Sequence, residues 1–230
     1  MPRLKLQRFR VKEPRPEALA RYVRVYASED LYHRGDTLPP LTARSLFDRE
    51  APLTLELGSG RGEFIVDQAR EQPDRLFVGI EIHWKSVWDS VNRAEAAGID
   101  NVRFVRADIR QVLGKVPDQS LVEAWVLFPP PTVEYKRRKK DILSTQIVEH
   151  LARMLANGAL LRFVTDHDDY FAEKVALIRE SGWFEDAAIS HEFEGGITRF
   201  QQFWENLDIA SKRYEAVRVP RAEAGNRPSS

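Results

Sequence analysis

The chain has 230 residues, 43% of them hydrophobic, and its 35 lysines and arginines are balanced by 35 aspartates and glutamates. This length and composition are typical of one large globular domain with a sizeable core. Because the formal net charge is zero, any nucleic-acid partner must be held by local basic patches and not by overall charge. The sequence contains no cysteine, which excludes disulfides, thiolate zinc sites and cysteine nucleophiles and fits an intracellular protein.

The N-terminal residues MPRLKLQRFRVKEPRPE contain no apolar run of the signal-peptide type, and no segment is apolar enough to span a bilayer. We therefore expect a cytoplasmic protein with no membrane partner. Residues 1–50 are predicted to form a basic extension, either an arm for nucleic acid or a solvated segment that packs a few apolar side chains on the domain. The regular domain is predicted at 51–220, and the tail at 221–230 is predicted to be disordered.

From residue 53 onward, apolar runs with strand character alternate with segments of helical periodicity. Strands are predicted at 53–58, 76–82, 102–105, 121–128 and 159–165, and helices near 62–71, 84–97, 141–156 and 168–181. This order favours parallel pairing, so we expect an open, mostly parallel α/β sheet with helices on both faces. Two further strands, near 187–193 and 211–219, are expected to close one edge, with an antiparallel strand near the C-terminus. Ligands of such sheets bind beyond the carboxyl ends of the strands.

A glycine-rich turn, LELGSGRGEF, follows the first of these strands. Gly58, Gly60 and Gly62 allow a tight turn and let a ligand approach the backbone closely. The dinucleotide fingerprint requires a glycine where Glu63 stands, and a carboxylate there would oppose a pyrophosphate. A phosphate-binding turn is therefore disfavoured.

Acidic residues stand at the ends of three successive predicted strands. Glu56 precedes the first glycine, where a carboxylate suits the cationic amino-acid end of S-adenosylmethionine. Glu81 ends the second strand, where it can accept both ribose hydroxyls, and Asp108 follows the third, where it can meet the exocyclic amine of adenine. Each residue alone is more often a helix cap or a surface charge, but their coincidence favours S-adenosylmethionine over other nucleotides. The predicted cofactor-binding residues are Glu56, Gly58, Gly60, Glu81 and Asp108.

Six motifs occur in order along residues 50–220: LELGSGRGEF, FVGIEI, NVRFVRADI, FPPP followed by KRRKK, FVTDHDDYF and ITRF. This set resembles the bacterial tRNA (guanine-N7-)-methyltransferase family. The glycine motif alone indicates only a methyltransferase, whereas the VTD and Thr-basic-Phe segments point to this family. The resemblance implies a Rossmann-like class I methyltransferase fold, S-adenosylmethionine as the methyl donor and a guanosine in the variable loop of tRNA as the acceptor.

The same resemblance implies that Asp166 is the catalytic residue, which holds the base and offsets the positive charge that develops on it. The expected substrate-binding residues are Lys136, Arg137 and Arg138 for phosphates, and Thr165, Asp166, Thr198 and Gln201 for the base. The alternative for the basic run is the charged start of the next helix, although five cations at that position oppose the helix dipole.

The chain departs from the family pattern in two motifs. The family sequence FPDPWPKKRHxKRR has an aspartate where Pro130 stands, a tryptophan at Thr132 and a histidine at Arg137, and its TKFE segment has a glutamate at Gln201. Guanine N7 carries a lone pair and no proton, so its attack on the sulfonium methyl requires alignment and desolvation and no general base.

Several alternatives stay open. One is a weakly active or inactive RNA-binding protein that retains the fold, and another is a methyltransferase with a different structured RNA as substrate. An exocyclic-amine methyltransferase is disfavoured, because Phe128 occupies the place of the residue that would grip the amine. The sequence does not distinguish a monomer from a homodimer.

The remaining marked residues have structural interpretations. Trp84 and Trp88 are predicted to pack a helix on the sheet, with Trp84 near enough to the cofactor end to border the adenosine pocket, and Trp125 is predicted to lie in the core. Asp168 is predicted to cap the following helix. The histidines show no metal-ligand spacing, so no metal site is expected.

Overall fold

A computed structural model of the chain describes residues 11–131, 141–187 and 211–220. Within these residues eight strands form one sheet, and α-helices lie before and between them. The strands are β1 (Val23–Val25), β2 (Leu53–Leu57), β3 (Leu76–Glu81), β4 (Val102–Arg106), β5 (Leu121–Leu127), β6 (Leu155–Thr165), β7 (Phe184–Asp186) and β8 (Lys212–Arg218). The helices are α1 (Pro16–Tyr22), α2 (Ser28–Arg34), α3 (Ala43–Phe47), α4 (Glu63–Glu71), α5 (Trp84–Ala97), α6 (Ile109–Val112), α7 (Thr145–Met154) and α8 (Asp168–Glu180).

The strands are arranged in the order β1-β4-β3-β2-β5-β6-β8-β7. Neighbouring strands from β1 to β6 pair in parallel, whereas β8 is antiparallel to both β6 and β7. This arrangement confirms the predicted open, mostly parallel sheet with an antiparallel strand near the C-terminus. The chain runs from β2 to β3 and β4 on one side and then crosses to β5 on the other side of β2. The carboxyl ends of β2 and β5 therefore flank a topological switch point, where such sheets bind ligands.

Helices cover both faces of the sheet because successive side chains of a strand point to opposite faces. On one face, Phe77 and Phe104 pack with apolar residues of α1, α4 and α5. On the other face, Leu55 and Val78 pack with apolar residues of α3, α7 and α8. Trp125 of β5 is 2% exposed, which confirms its predicted place in the core.

Residues 16–26, within the predicted basic extension, are built into the edge of the sheet. β1 pairs with β4, and the Tyr26 N–H donates to the Arg106 carbonyl at 3.0 Å. The buried Tyr22 donates from its hydroxyl to the Ile99 carbonyl at 2.6 Å. A strand of three residues is too short to show an alternation of apolar and polar side chains, and basic residues surround it. The sequence pattern therefore does not reveal β1. Residues 1–10 and the tail at 221–230 lie outside the described residues.

The helix predicted at 141–156 is shorter, and the strand after it begins earlier. Asp141 Oδ1 accepts the Leu143 N–H at 3.0 Å, which ties the residues before α7 into a local turn. Leu155 already has extended dihedral angles, so β6 takes the last two residues assigned to the helix. Of the strand predicted near 187–193, all but Ala187 lies outside the described residues, and β7 precedes it.

The prediction that Asp168 caps α8 is wrong. His167 is the capping residue, and its Nδ1 accepts the Tyr170 N–H at 3.2 Å. Asp168 is the first helical residue, and its Oδ1 lies 3.0 Å from Lys212 Nζ. A carboxylate in the first turn still interacts favourably with the helix dipole.

No helix in the described part of the chain is long and apolar enough to cross a membrane.

Candidate active site

The turn between β2 and α4 lies close to the neighbouring strand and helix. Gly58 and Gly62 have φ angles of 79° and 71°. A side chain at Gly62 would place its Cβ 2.6 Å from Ser90 Oγ of α5, so the turn can pack this closely only around a glycine. The N–H groups of Gly58 and Ser59 both donate to the Ile80 carbonyl, at 2.9 and 3.1 Å, and hold the turn against the end of β3.

Two adjoining cavities lie at the carboxyl edge of the sheet and share Gly58, Leu127 and Phe128 in their walls. The smaller cavity, of about 250 Å³, is also lined by Glu56 and Gly60. The larger cavity, of about 520 Å³, is also lined by Glu81 and Asp108 and has the volume of an ordinary small-molecule site. The structure therefore brings together all five of the predicted cofactor-binding residues.

Glu56 is the most deeply buried carboxylate of the two cavities. Its side chain belongs to a residue that is 4% exposed, and its Oε2 has no hydrogen-bond partner within the described ranges. Burial, assisted by the negative charge of Glu81, raises the pKa of Glu56 to about 8. Because an unpaired buried oxygen is costly, this position suits a ligand that brings a cation and hydrogen-bond donors.

Glu81 is held in place through both of its carboxylate oxygens. Oε2 accepts the Gly60 N–H at 3.2 Å, and Oε1 accepts the His83 N–H at 2.8 Å. The Nδ1 of His83 also lies 2.8 Å from Oε1. A carboxylate oxygen has two lone-pair sites, so Oε2 keeps one for a ligand hydroxyl besides its bond from Gly60.

Asp108 caps α6 and forms an ion pair that the sequence did not indicate. Its Oδ1 accepts the Arg110 backbone N–H at 3.0 Å and the Arg110 Nε–H at 2.9 Å, and Oδ2 accepts from Arg110 Nη2. The side-chain bonds from Arg110 lower the pKa of Asp108 although partial burial opposes this shift. Any ligand that uses this carboxylate as an acceptor must share it with the guanidinium.

Phe128 is a cavity residue that the sequence analysis did not assign to the cofactor. It lines both cavities and has a φ of 47°, which a bulky residue rarely adopts. Its N–H donates to the Val164 carbonyl at 2.7 Å and joins the end of β5 to β6. The proline run after Phe128 is the sequence feature that could have indicated this position, because prolines cannot continue a central strand and the chain must turn there. Pro130 of that run is exposed and lines the larger cavity.

Thr165 and Asp166 lie at the end of β6, the strand beside the one that leads to Phe128. Thr165 is fully buried, and its Oγ1 accepts the His167 N–H at 3.3 Å. Asp166 is exposed to solvent and is not in the described wall of either cavity. The predicted cofactor-binding residues therefore line the two cavities, whereas Thr165 and Asp166, predicted to bind the base, lie beside the cavities at the same end of the sheet.

The other predicted substrate residues, Lys136, Arg137, Arg138, Thr198 and Gln201, lie outside the described residues. Across the described ranges, no group of three or more His, Cys, Asp or Glu side chains is placed to hold a metal ion.

Trp84 does not pack α5 on the sheet as predicted. It is 38% exposed, and the Arg106 guanidinium lies 5.5 Å from its ring centre. The buried face of α5 consists instead of Val87, Val91 and Ala94 together with Ser90. Trp84 is the first residue of α5 and lies just after the carboxyl end of β3.

Relatives with known names match most of the chain. A family model described as "Putative methyltransferase" matches residues 50–212. The tRNA (guanine-N(7)-)-methyltransferase of Rubrobacter xylanophilus is 34% identical over 225 residues, which cover 95% of this chain and 100% of the relative. The tRNA (guanine-N(7)-)-methyltransferase of Chloroflexus aggregans is 42% identical over 165 residues, which cover 72% of this chain and 74% of the relative.

Solved structures share the architecture. The aminoglycoside resistance methyltransferase NpmB1 matches with a TM-score of 0.58 and 19% identity, covering 77% of this chain and 94% of that one. The 16S rRNA methyltransferase KamB matches with a TM-score of 0.56 and 17% identity, covering 77% and 92%. At these low sequence identities the matches show the fold alone. The shared fold confirms the predicted Rossmann-like methyltransferase architecture. The sequence relatives, matched over most of their length, show that the chain belongs to the tRNA (guanine-N7-)-methyltransferase family.

Proposed function

We propose that this protein transfers a methyl group from S-adenosylmethionine to N7 of a guanosine in tRNA, and that it does so in the cytoplasm. The observation that carries the proposal is the buried carboxyl of Glu56, whose Oε2 has no hydrogen-bond partner among the described residues, in a cavity that adjoins the one lined by Glu81 and Asp108. The matched relatives, which are named tRNA (guanine-N(7)-)-methyltransferases, support the choice of acceptor.

The acidic residues of the two cavities fit the polar groups of S-adenosylmethionine. Glu56 would hold the ammonium of the amino-acid end, since a cation favours the ionised carboxylate that burial disfavours. Glu81 would accept the ribose hydroxyls, and Asp108 would accept from the adenine amine while it remains paired with Arg110. When bound, this cofactor supplies an electrophilic methyl group on a sulfonium.

Asp166 is the carboxylate that we assign to the guanine base. It is exposed at the end of β6 and forms no hydrogen bond or ion pair with the described residues. Guanine offers N–H donors on its Watson–Crick edge, which a carboxylate can accept with both oxygens, and the same negative charge offsets the positive charge of the methylated ring. Thr165 has a buried hydroxyl that accepts the His167 N–H at 3.3 Å, and this bond closes a short turn around Asp166.

The remaining assignments concern the rest of the RNA. We assign Lys136, Arg137 and Arg138 to phosphates, which position the nucleic acid without reading its bases. Thr198 and Gln201 would add hydrogen bonds to the base, although the amide of Gln201 cannot offset charge as a glutamate would.

The proposal is tested by incubating the purified protein with labelled S-adenosylmethionine and total tRNA, followed by nucleoside analysis. The expected product is N7-methylguanosine in tRNA. Label in a different methylated nucleoside would assign another substrate. Binding of both cofactor and RNA without any methylated product would instead identify an RNA-binding protein that retains the methyltransferase fold.

A further inference from the structure

A buried charged cluster, formed by Asp141, Tyr170 and Lys174, joins the residues before α7 to helix α8. The three residues are 6%, 0% and 3% exposed. Asp141 Oδ1 accepts the Tyr170 hydroxyl at 2.8 Å and the Leu143 N–H at 3.0 Å, and Oδ2 accepts from Lys174 Nζ. The Lys174 ammonium also lies 2.9 Å from Glu173 Oε1 and 5.0 Å from the centre of the Tyr170 ring.

The cluster holds its charges at defined positions. Burial opposes ionisation of Asp141, but the bonds from Lys174, Leu143 and Tyr170 outweigh it and lower the pKa of the carboxyl. Buried ion pairs of this kind often add little net stability compared with apolar residues of similar volume. A satisfied buried network does fix one geometry, because each partner is costly to leave unpaired.

One side of the cluster adjoins the wall of the larger cavity. Ile142, the residue after Asp141, lines that cavity. A Cβ added at Gly58 would lie 3.6 Å from Ile142 Cδ1, so this side chain faces the glycine turn. Fixing Asp141 therefore fixes the cavity wall opposite the turn.

The other side of the cluster lies in the helix that follows Asp166. Helix α8 begins two residues after Asp166, and both Tyr170 and Lys174 belong to it. Phe163 of β6 stacks on Phe171 of the same helix, with ring centres 5.8 Å apart. The end of β6 and the start of α8 are thus packed together on both sides of Asp166.

We infer that Asp141, Tyr170 and Lys174 are positioning residues, which hold the wall of the cofactor cavity and the segment bearing Asp166 in one register. This inference rests on the proposed function. Methyl transfer in line requires donor and acceptor to be aligned, and a misplacement of about 1 Å can slow a reaction about 100-fold. The cluster has the position and the rigidity to set that alignment without touching either reactant.

The first test compares Asp141→Asn with the neutralisation of a second buried, ion-paired carboxylate, which lies in the sheet. Glu123 of β5 is 3% exposed, pairs with Arg75 at 3.1 Å and Arg162 at 2.7 Å, and is not among the described residues lining either cavity. With cofactor and tRNA saturating, we expect Asp141→Asn to slow single-turnover methyl transfer about 10- to 100-fold and Glu123→Gln less than about threefold. Affinity for S-adenosylhomocysteine should change by less than about threefold in Glu123→Gln. It should fall in Asp141→Asn, because Ile142 lines the cofactor cavity. Equal rates for the two variants would overturn the inference.

A charge-free replacement keeps the test valid if the single variant fails to fold. The double variant Asp141→Leu/Lys174→Met leaves no buried charge unpaired, so it should fold, although with reduced stability because the Tyr170 hydroxyl and the Leu143 N–H lose their acceptor. It should nevertheless lose the methyl-transfer rate to the same extent, because the fixed geometry is gone. Full activity in this folded double variant would contradict a positioning role.

A double-mutant cycle separates positioning from general damage. If Asp141 acts by placing Asp166, then Asp141→Asn should slow the Asp166→Asn enzyme by less than about threefold, although it slows the wild type much more. Fully additive effects would show that the two residues act independently.

Amide hydrogen exchange separates failure of this inference from failure of the proposed function. Exchange over residues 141–147 and 163–171 should be faster in Asp141→Asn than in the wild type and unchanged in Glu123→Gln. Absence of N7-methylguanosine with the wild type would refute the proposed function alone. Unchanged exchange over 163–171 would refute the coupling, whatever the activity.

Discussion

The backbone N–H of Gly60 donates a hydrogen bond of 3.2 Å to Glu81 Oε2. This contact joins the glycine turn after β2 to the carboxylate that ends β3. The His83 N–H donates to the other oxygen, Oε1, at 2.8 Å. The turn and the carboxylate therefore form one unit, and a change at Glu81 acts on both.

We expect Glu81→Ala to weaken binding of S-adenosylhomocysteine about 10- to 100-fold, because a hydrogen bond to a charged group contributes about 1.5–3 kcal/mol. Isothermal titration calorimetry measures the affinity. Glu71→Ala removes an exposed carboxylate at the end of α4 and is the matched control, with unchanged affinity. Equal affinity of wild type and Glu81→Ala would remove Glu81 from the site.

The pH dependence of stability should report the buried carboxyl of Glu56, whose pKa is raised to about 8. A raised folded-state pKa means that neutral Glu56 stabilises the free protein at acid pH, and that this stabilisation is lost as pH rises through about 8. Free wild type should therefore lose stability relative to Glu56→Gln between pH about 5 and about 8. Thermal melts of both proteins across this range provide the measurement, and parallel curves would contradict the assignment.

The ligand should reverse this behaviour, because a cation beside Glu56 favours the ionised carboxylate. Binding at pH about 7 should then release about one proton from the wild type and far less from Glu56→Gln. Calorimetry in buffers of different ionisation enthalpy counts the protons. Equal proton release by the two proteins would place the amino-acid end of the cofactor elsewhere.

The strand ends were predictable from the sequence, whereas the surroundings of their side chains were not. Buried parallel strands are nearly continuous apolar runs, so the positions of Glu56 and Glu81 near the ends of such runs could be identified directly. The raised pKa of Glu56 depends on burial between neighbouring strands, which exists only in the folded sheet. The contact between Asp141 and Lys174 joins residues 33 positions apart, and neither residue belongs to a motif that predicts a partner.

Asp166→Asn should slow methyl transfer about 10- to 1,000-fold, at about 1.4 kcal/mol for each factor of ten, because a neutral amide cannot offset the charge of the methylated ring. Affinity for S-adenosylhomocysteine should stay the same, since Asp166 is outside the described walls of both cavities. Asp169→Asn, an exposed carboxylate in the first turn of α8, is the control and should keep the wild-type rate. An equal rate for Asp166→Asn and the wild type would leave the base-holding carboxylate unassigned.

RNA affinity should depend steeply on salt through the basic run. Replacing Lys136, Arg137 and Arg138 by alanine should reduce the slope of log affinity against log salt by about two to three units, at roughly 0.7 to 0.9 for each phosphate that is no longer neutralised. Filter binding over a range of salt concentrations measures the slope. The control is a triple alanine variant of Arg44, Arg70 and Arg179, which are exposed and ion-paired on the surface. This variant removes the same charge and should leave the salt slope unchanged. A slope that falls equally in both triple variants would reflect overall charge and not a phosphate site.

Pro130 stands where the family pattern has an aspartate, and its side chain is exposed in the wall of the larger cavity. Its neighbour Pro129 is buried, so the backbone on one side of the position is held by packing. An aspartate at residue 130 would therefore add a third carboxylate to the cavity that Glu81 and Asp108 line, and under the proposed function its charge would offset the positive charge that develops on the base. We expect Pro130→Asp to raise the single-turnover rate about tenfold, equivalent to about 1.4 kcal/mol of transition-state stabilisation. Pro130→Asn is the control, because it removes the same ring and adds a side chain of the same shape without the charge. If the single-turnover rate rises equally in both variants, the effect comes from removing the proline ring and not from the carboxylate. If the rate rises in neither variant, a carboxylate at residue 130 does not contribute to methyl transfer in this protein.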